Sequence, residues 1–193
     1  MVLYVELGII AKSGPLPIDT RVALWFKAHR TAKEVNIAQA VSALITPIIV
    51  FSAIVIILLY LNYWTRSWYP RDFIPLALVG TAALVSTASK PLFGRVRPGA
   101  GLTTLFDFEP SYPSSHVVFI AAAGCALLFF SERHKFLIFV GVSIMAANIG
   151  IVGLTLGVHW ITDIIGGTFL SWGLLIIFYV LDDWMAENER KSL

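Results

Sequence analysis

The feature that most constrains this chain is a series of apolar runs close to the length of a bilayer crossing. A helical span needs roughly 20 mostly apolar residues, because the hydrocarbon core is about 30 Å thick and a helix rises about 1.5 Å per residue. Five stretches approach that length: 35–61, 73–89, 115–130, 136–158 and 160–181. Pro47 interrupts the first, which a membrane helix tolerates as a kink. Residues 2–11 are also apolar but too short to cross alone, and they contain Glu6. That stretch lacks the charged start and small-residue cleavage site of a signal peptide, so it reads as the end of a shortened first span or as an interfacial piece. The expectation is an all-α polytopic membrane bundle of six spans, the first short or truncated, plus an interfacial amphipathic helix.

Composition agrees. Charged residues make up 13% of the chain and the mean hydropathy is +0.80, whereas a soluble domain carries about 25% charge to wet its surface. A formal net charge of +2 is too small to suggest a nucleic-acid partner. The single cysteine, Cys125, sits in an apolar run, which closes disulfide and zinc-finger readings and leaves packing as its role.

Between the N-terminal stretch and the first full run, the turn residues Ser13, Gly14, Pro15 and Pro17 open a polar segment. Asp19 can cap a short helix there, with Val22, Trp25 and Phe26 on one face and Arg21, Lys27 and Arg30 on another. Such a helix lies along the membrane surface, with His29 solvated. Trp64, Trp68, Trp160 and Trp184 fall at the ends of runs, where indoles prefer the interface. No repeat or long linker divides the chain, so residues 1–193 read as one membrane domain. The distribution of Lys and Arg does not favour an orientation with both ends in the cytoplasm.

Chemistry concentrates in three places. Lys90, Arg95 and Arg97 fall within eight residues at the end of a run, with Pro91 and Pro98 stiffening what reads as a loop. Arginine offers phosphate a planar fork and lysine a point charge; a basic loop on lipid headgroups is the plainer alternative. The acids Asp107 and Glu109 follow, read as solvated charges at the edge of an entrance. Ser114, Ser115 and His116 then stand where the next helix begins, with backbone N–H groups and a dipole that favour anions. An ordinary N-cap serine explains Ser114 or Ser115 equally well. Finally, His159 and Asp163 are four apart and share a face if helical, so the acid can fix the tautomer of the ring. His116, His159 and Asp163 would suit a two-histidine, one-carboxylate metal site, but the surrounding cations argue against a metal ion.

Taken in order, Lys90-x6-Arg97-Pro98, Pro113-Ser114-Ser115-His116 and His159-x3-Asp163 resemble the three signature motifs of the type 2 phosphatidic acid phosphatase superfamily, in its membrane lipid-phosphatase branch. The resemblance covers essentially the whole chain. It implies a six-span lipid phosphate or diphosphate phosphatase that needs no metal or other cofactor. His159 would attack phosphorus and form a phosphohistidine, Asp163 would orient it, and His116 would protonate the leaving lipid oxygen. Lys90, Arg97, Ser114 and the Ser115 amide would hold phosphoryl oxygens. Its partners would be a lipid phosphate or polyprenyl diphosphate and the surrounding membrane lipids. Its location would be the plasma membrane, with the site on the extracytoplasmic face.

Two departures stand out. Ser115 replaces the glycine of the second motif, and a serine still donates its backbone N–H. Before the third motif, Val152-Gly153 stand where the family has Ser-Arg, and that arginine clamps phosphate. Losing one such contact costs on the order of 2–4 kcal/mol of transition-state stabilisation. Arg95 is the nearby candidate to replace it. The alternative function is a weakly active or non-catalytic lipid-phosphate binder or transporter of the same fold.

Overall fold

The structure, a computed structural model, describes residues 1–45, 47–65, 70–99, 109–130 and 133–192. Among these residues there are eight α-helices and no strand. They are α1 (Val2–Lys12), α2 (Pro17–His29), α3 (Ala32–Leu44), α4 (Pro47–Thr65), α5 (Ile74–Phe93), α6 (Ser115–Leu127), α7 (Lys135–Leu156) and α8 (Ile161–Ser192). Short 3-10 turns precede α5 and follow α6.

α6 is the axis of the bundle and packs against α4, α5, α7 and α8. Its sequence, SHVVFIAAAGCAL, is rich in small residues. In lipid, where apolar side chains gain little by leaving the solvent, such residues let helix backbones approach closely. Val117, Val118, Ala122 and Ala126 have no exposed surface. Gly124 lies so near Val142 that a methyl group at that position would overlap its side chain. The outer surface is the reverse: Leu84, Phe136 and Ile176 are 73%, 76% and 66% exposed, an arrangement that only a lipid solvent rewards. α7, α8 and the segment Pro70–Phe93 are long and apolar enough to cross a membrane, and the apolar part of α4 and the Ser115–Phe130 segment are shorter. The chain is a polytopic helical membrane protein.

The expected single span over 35–61 is two helices, broken before Pro47. Proline removes a backbone donor and clashes with the preceding turn, and here the halves take different neighbours, α3 on α7 and α4 on α5 and α6. α8 runs 32 residues, well beyond the 160–181 apolar run. At about 1.5 Å per residue it exceeds the hydrocarbon thickness, and Asp182 in its polar extension accepts two hydrogen bonds from Arg71, at 2.5 and 2.9 Å. The N-terminal stretch is a packed helix: the Tyr4 hydroxyl donates to Ser89 Oγ at 2.6 Å, and Tyr112 donates to the Tyr4 carbonyl at 2.6 Å.

α2 is amphipathic, with one change from expectation. Val22 and Phe26 pack on the cluster of Val117, Ile120 and Leu154. Trp25 is 56% exposed and stacks on His29, with ring centroids 4.6 Å apart. Trp68 and Asp107 lie outside the described residues.

Candidate active site

Two glycine-ended helices deliver the polar residues to one end of the bundle. Gly94 ends α5 and Gly157 ends α7, each in the left-handed conformation that a residue without Cβ adopts readily (φ 57° and 71°). The segments that follow are joined by backbone bonds. Gly99 N–H donates to Gly157 O at 2.9 Å, Ser111 N–H to Arg95 O at 2.8 Å, and Ser114 N–H to Asp163 O at 3.2 Å. Three motifs distant in the chain are thereby brought together. Lys90 and Pro91 lie in the last turn of α5, not in a loop, so Lys90 is presented by a helix.

A cavity of about 930 Å³ opens among α2, α3, α6 and the α7–α8 turn. Lys90, Arg97, Ser115, His116 and His159 line it, with Lys27, Arg30, Gln39 and Ser42 contributed by α2, its C-cap and α3. Leu24, Val35, Phe119 and Leu154 supply apolar wall. Its cations are restrained. Lys90 Nζ donates to Pro110 O at 3.2 Å and lies 3.4 Å from Glu109 Oε2. Arg97 donates to Glu109 O at 2.8 Å and to Val158 O at 3.1 Å. Glu109 also stands 3.5 Å from Arg97 Nη2; its side chain is 65% exposed, so it is the solvated charge expected and a partner of both cations as well.

Behind the cavity is a buried charge chain. Arg95 Nη1 donates to Asp163 Oδ1 at 2.5 Å and to Thr162 Oγ1 at 2.7 Å, while Nη2 donates to Asp19 Oδ2 at 2.6 Å. The two carboxylates are fully buried and the Arg95 side chain is 2% exposed. Asp19 also accepts from the Thr162 amide at 3.0 Å and its hydroxyl at 2.8 Å. Asp163 Oδ2 takes the Trp160 amide at 2.7 Å, satisfying a donor at the start of α8.

His159 precedes α8, so its pairing with Asp163 spans the helix start and not one helical face. Its Nδ1 lies 3.4 Å from Asp163 Oδ2, within electrostatic reach but without hydrogen-bond alignment. Burial pushes the His159 imidazole below its ordinary value; Asp163 opposes that shift, and Arg97 and Lys90 add to it. Burial thus favours the neutral ring, which has a carboxylate behind one nitrogen.

The PAP2 superfamily matches residues 72–186. The chain belongs to the PAP2 superfamily. It is also similar to phosphatidylglycerophosphatase B of Bacillus subtilis (strain 168), 30% identical over 141 residues. That match covers 66% of this chain and 64% of the relative, so about a third of the relative's length lies outside it. A crystal structure of a transmembrane PAP2 type phosphatidylglycerolphosphate phosphatase from Bacillus subtilis shares the fold, with a TM-score of 0.70 at 24% identity over 97% of this chain and 98% of that one.

Of the residues the PAP2 motifs single out, Lys90, Arg97, Ser115, His116 and His159 share the cavity and Asp163 backs His159. Ser114, and Arg95 from between the motif positions, do not reach it. Ser114 is 2% exposed and is the N-cap of α6, tied by its amide to Asp163. Arg95, expected to stand in for the missing third-motif arginine, is instead committed to Asp19 and Asp163 and does not line the cavity. The sequence suggests only a helix cap for Asp19, and Asp19 Oδ2 does accept the Leu16 N–H at 2.9 Å. The one signal of a partner 76 residues away is that Asp19 is the single acid of an otherwise apolar and basic helix.

Arg95→Met would leave two carboxylates buried side by side, and should cost about 3–5 kcal/mol of unfolding free energy in detergent. Asp19→Asn leaves Arg95 paired with Asp163 and should cost less, about 1–3 kcal/mol; equal losses would contradict the charge chain. In a histidine-resolved NMR titration, the His159 ring should protonate below the ordinary midpoint of about 6.5. A midpoint above it would mean that attraction to Asp163 outweighs burial.

Proposed function

We propose that this protein is a membrane lipid phosphatase that transfers a phosphoryl group to His159 and then to water. The observation that carries the reading is the shared cavity: Lys90, Arg97 and His116 around a buried imidazole backed by a carboxylate. His159 Nε2 forms a bond to phosphorus as the bond to the lipid oxygen breaks. His116, protonated beside the phosphate anion, gives its proton to that oxygen. Water then attacks the phosphohistidine, passes a proton to His116, and releases inorganic phosphate with His159 restored. Lys90, Arg97 and the Ser115 amide neutralise charge spread over the phosphoryl oxygens.

The apolar wall of Leu24, Val35, Phe119 and Leu154 suits the acyl end of a lipid, with the headgroup among the cations. Both Bacillus subtilis relatives are named for phosphatidylglycerophosphate, which makes it the first substrate to try. Glycine at 153 supports a second reading, a binder of the same fold with little turnover.

Purified protein should release phosphate from phosphatidylglycerophosphate or phosphatidic acid in mixed micelles. His159→Ala should lower the rate by at least about 10³-fold. Vanadate should inhibit and a chelator should not. Wild-type protein that binds the lipid but releases no phosphate would favour the binder, and strong chelator inhibition would overturn the metal-independent mechanism.

A further inference from the structure

We propose that Arg30, the residue that closes α2, is a phosphoryl-oxygen clamp of this cavity, a role no motif in the chain assigns to it. The proposal rests on the phosphatase reading above. Arg30 Nη1 donates to the Thr155 carbonyl at 2.6 Å, across 125 residues of sequence. That carbonyl is in the last turn of α7, where acceptors lack intrahelical partners and the helix end favours a cation. A methyl group on Gly157 would sit 3.6 Å from the same nitrogen, which puts the guanidinium against the turn carrying His159 two residues later. Arg30 lines the same cavity as His159, Lys90 and Arg97.

The cations of the first motif segment are more heavily committed than Arg30. Lys90 and Arg97 share Glu109, and Arg95 is held by two carboxylates. Among the described residues no carboxylate pairs with Arg30. A guanidinium has five N–H donors in a planar fork, and Thr155 accepts from one nitrogen, so the anchor sets the plane while leaving donors for an anion. The geometry at position 153 points the same way. A Cβ there would lie 3.1 Å from His159 Cδ2, so a side chain entering from α7 must pass the imidazole ring. Arg30 reaches the end of α7 from the C-cap of α2, and the imidazole is not among the contacts of its guanidinium.

The test compares wild type, Arg30→Ala and Arg30→Lys, with Arg21→Ala as a same-helix charge control that is exposed and does not line the cavity. Arg30→Ala should lower kcat/KM for a lipid phosphate about 10²-fold and weaken vanadate inhibition by a similar factor. Arg30→Lys should fall between, because it keeps the charge and loses the fork. Added guanidinium ion should restore part of the Arg30→Ala rate, and Arg21→Ala should match wild type. Unchanged kcat/KM in Arg30→Ala would overturn the proposal. So would a loss of activity that follows lower thermal stability, with vanadate affinity intact and no guanidinium rescue, since that is the behaviour of a helix cap alone. If wild type itself releases no phosphate, the phosphatase reading fails separately. Vanadate binding by calorimetry then decides for Arg30: weaker binding in Arg30→Ala supports the clamp, and equal binding overturns it.

Discussion

Arg95 grips a carboxylate on each side, Asp19 and Asp163, where the side chains meet almost no water. Opposite charges in such a place attract strongly, but each carries a desolvation cost that only its partners offset. Separating any one of them would strand a buried charge. The surface helix α2, the segment after α5 and the start of α8 therefore hold together through this chain of charges. In a bilayer this matters more than in water, because lipid tails give helices little hydrophobic reason to associate. His159 inherits its place from the arrangement: Asp163 is fixed by Arg95 and by the Trp160 amide, and the imidazole faces its remaining side.

The cavity above this base is built on the same economy of movement. Lys90 comes from the last turn of α5 and Arg97 from the segment after Gly94, and both are tied to backbone carbonyls as well as to Glu109. Cations fixed before a ligand arrives need little reorganisation when negative charge develops, which is the condition under which electrostatic stabilisation is large. Surface lysines and arginines of the kind that snorkel to headgroups lack this restraint.

The bundle was legible in the sequence because the bilayer imposes one length and one polarity on every crossing helix. The three polar motifs were legible because they keep the residue types and spacing of the PAP2 superfamily, and backbone bonds bring them to one end of the bundle. What was not legible depended on distant partners. Pro47 permits either a kink or a break, and only the separate neighbours of α3 and α4 decide it. Ser114 and Ser115 are adjacent and chemically alike, yet one is buried at the N-cap position of α6 and the other lines the cavity. Asp19 and Arg30 looked like ordinary features of an amphipathic helix, a cap and a solvated cation. Their partners, Thr162 and Thr155, lie 143 and 125 residues along the chain.

The central claim, that a histidine relays the phosphoryl group, is tested most directly by stereochemistry at phosphorus. Hydrolysis of a lipid thiophosphate made chiral with oxygen isotopes, in water carrying the third isotope, reports the number of displacements. Transfer through His159 involves two in-line displacements, so the account predicts net retention of configuration. Inversion would mean that water attacks phosphorus directly, and would contradict it.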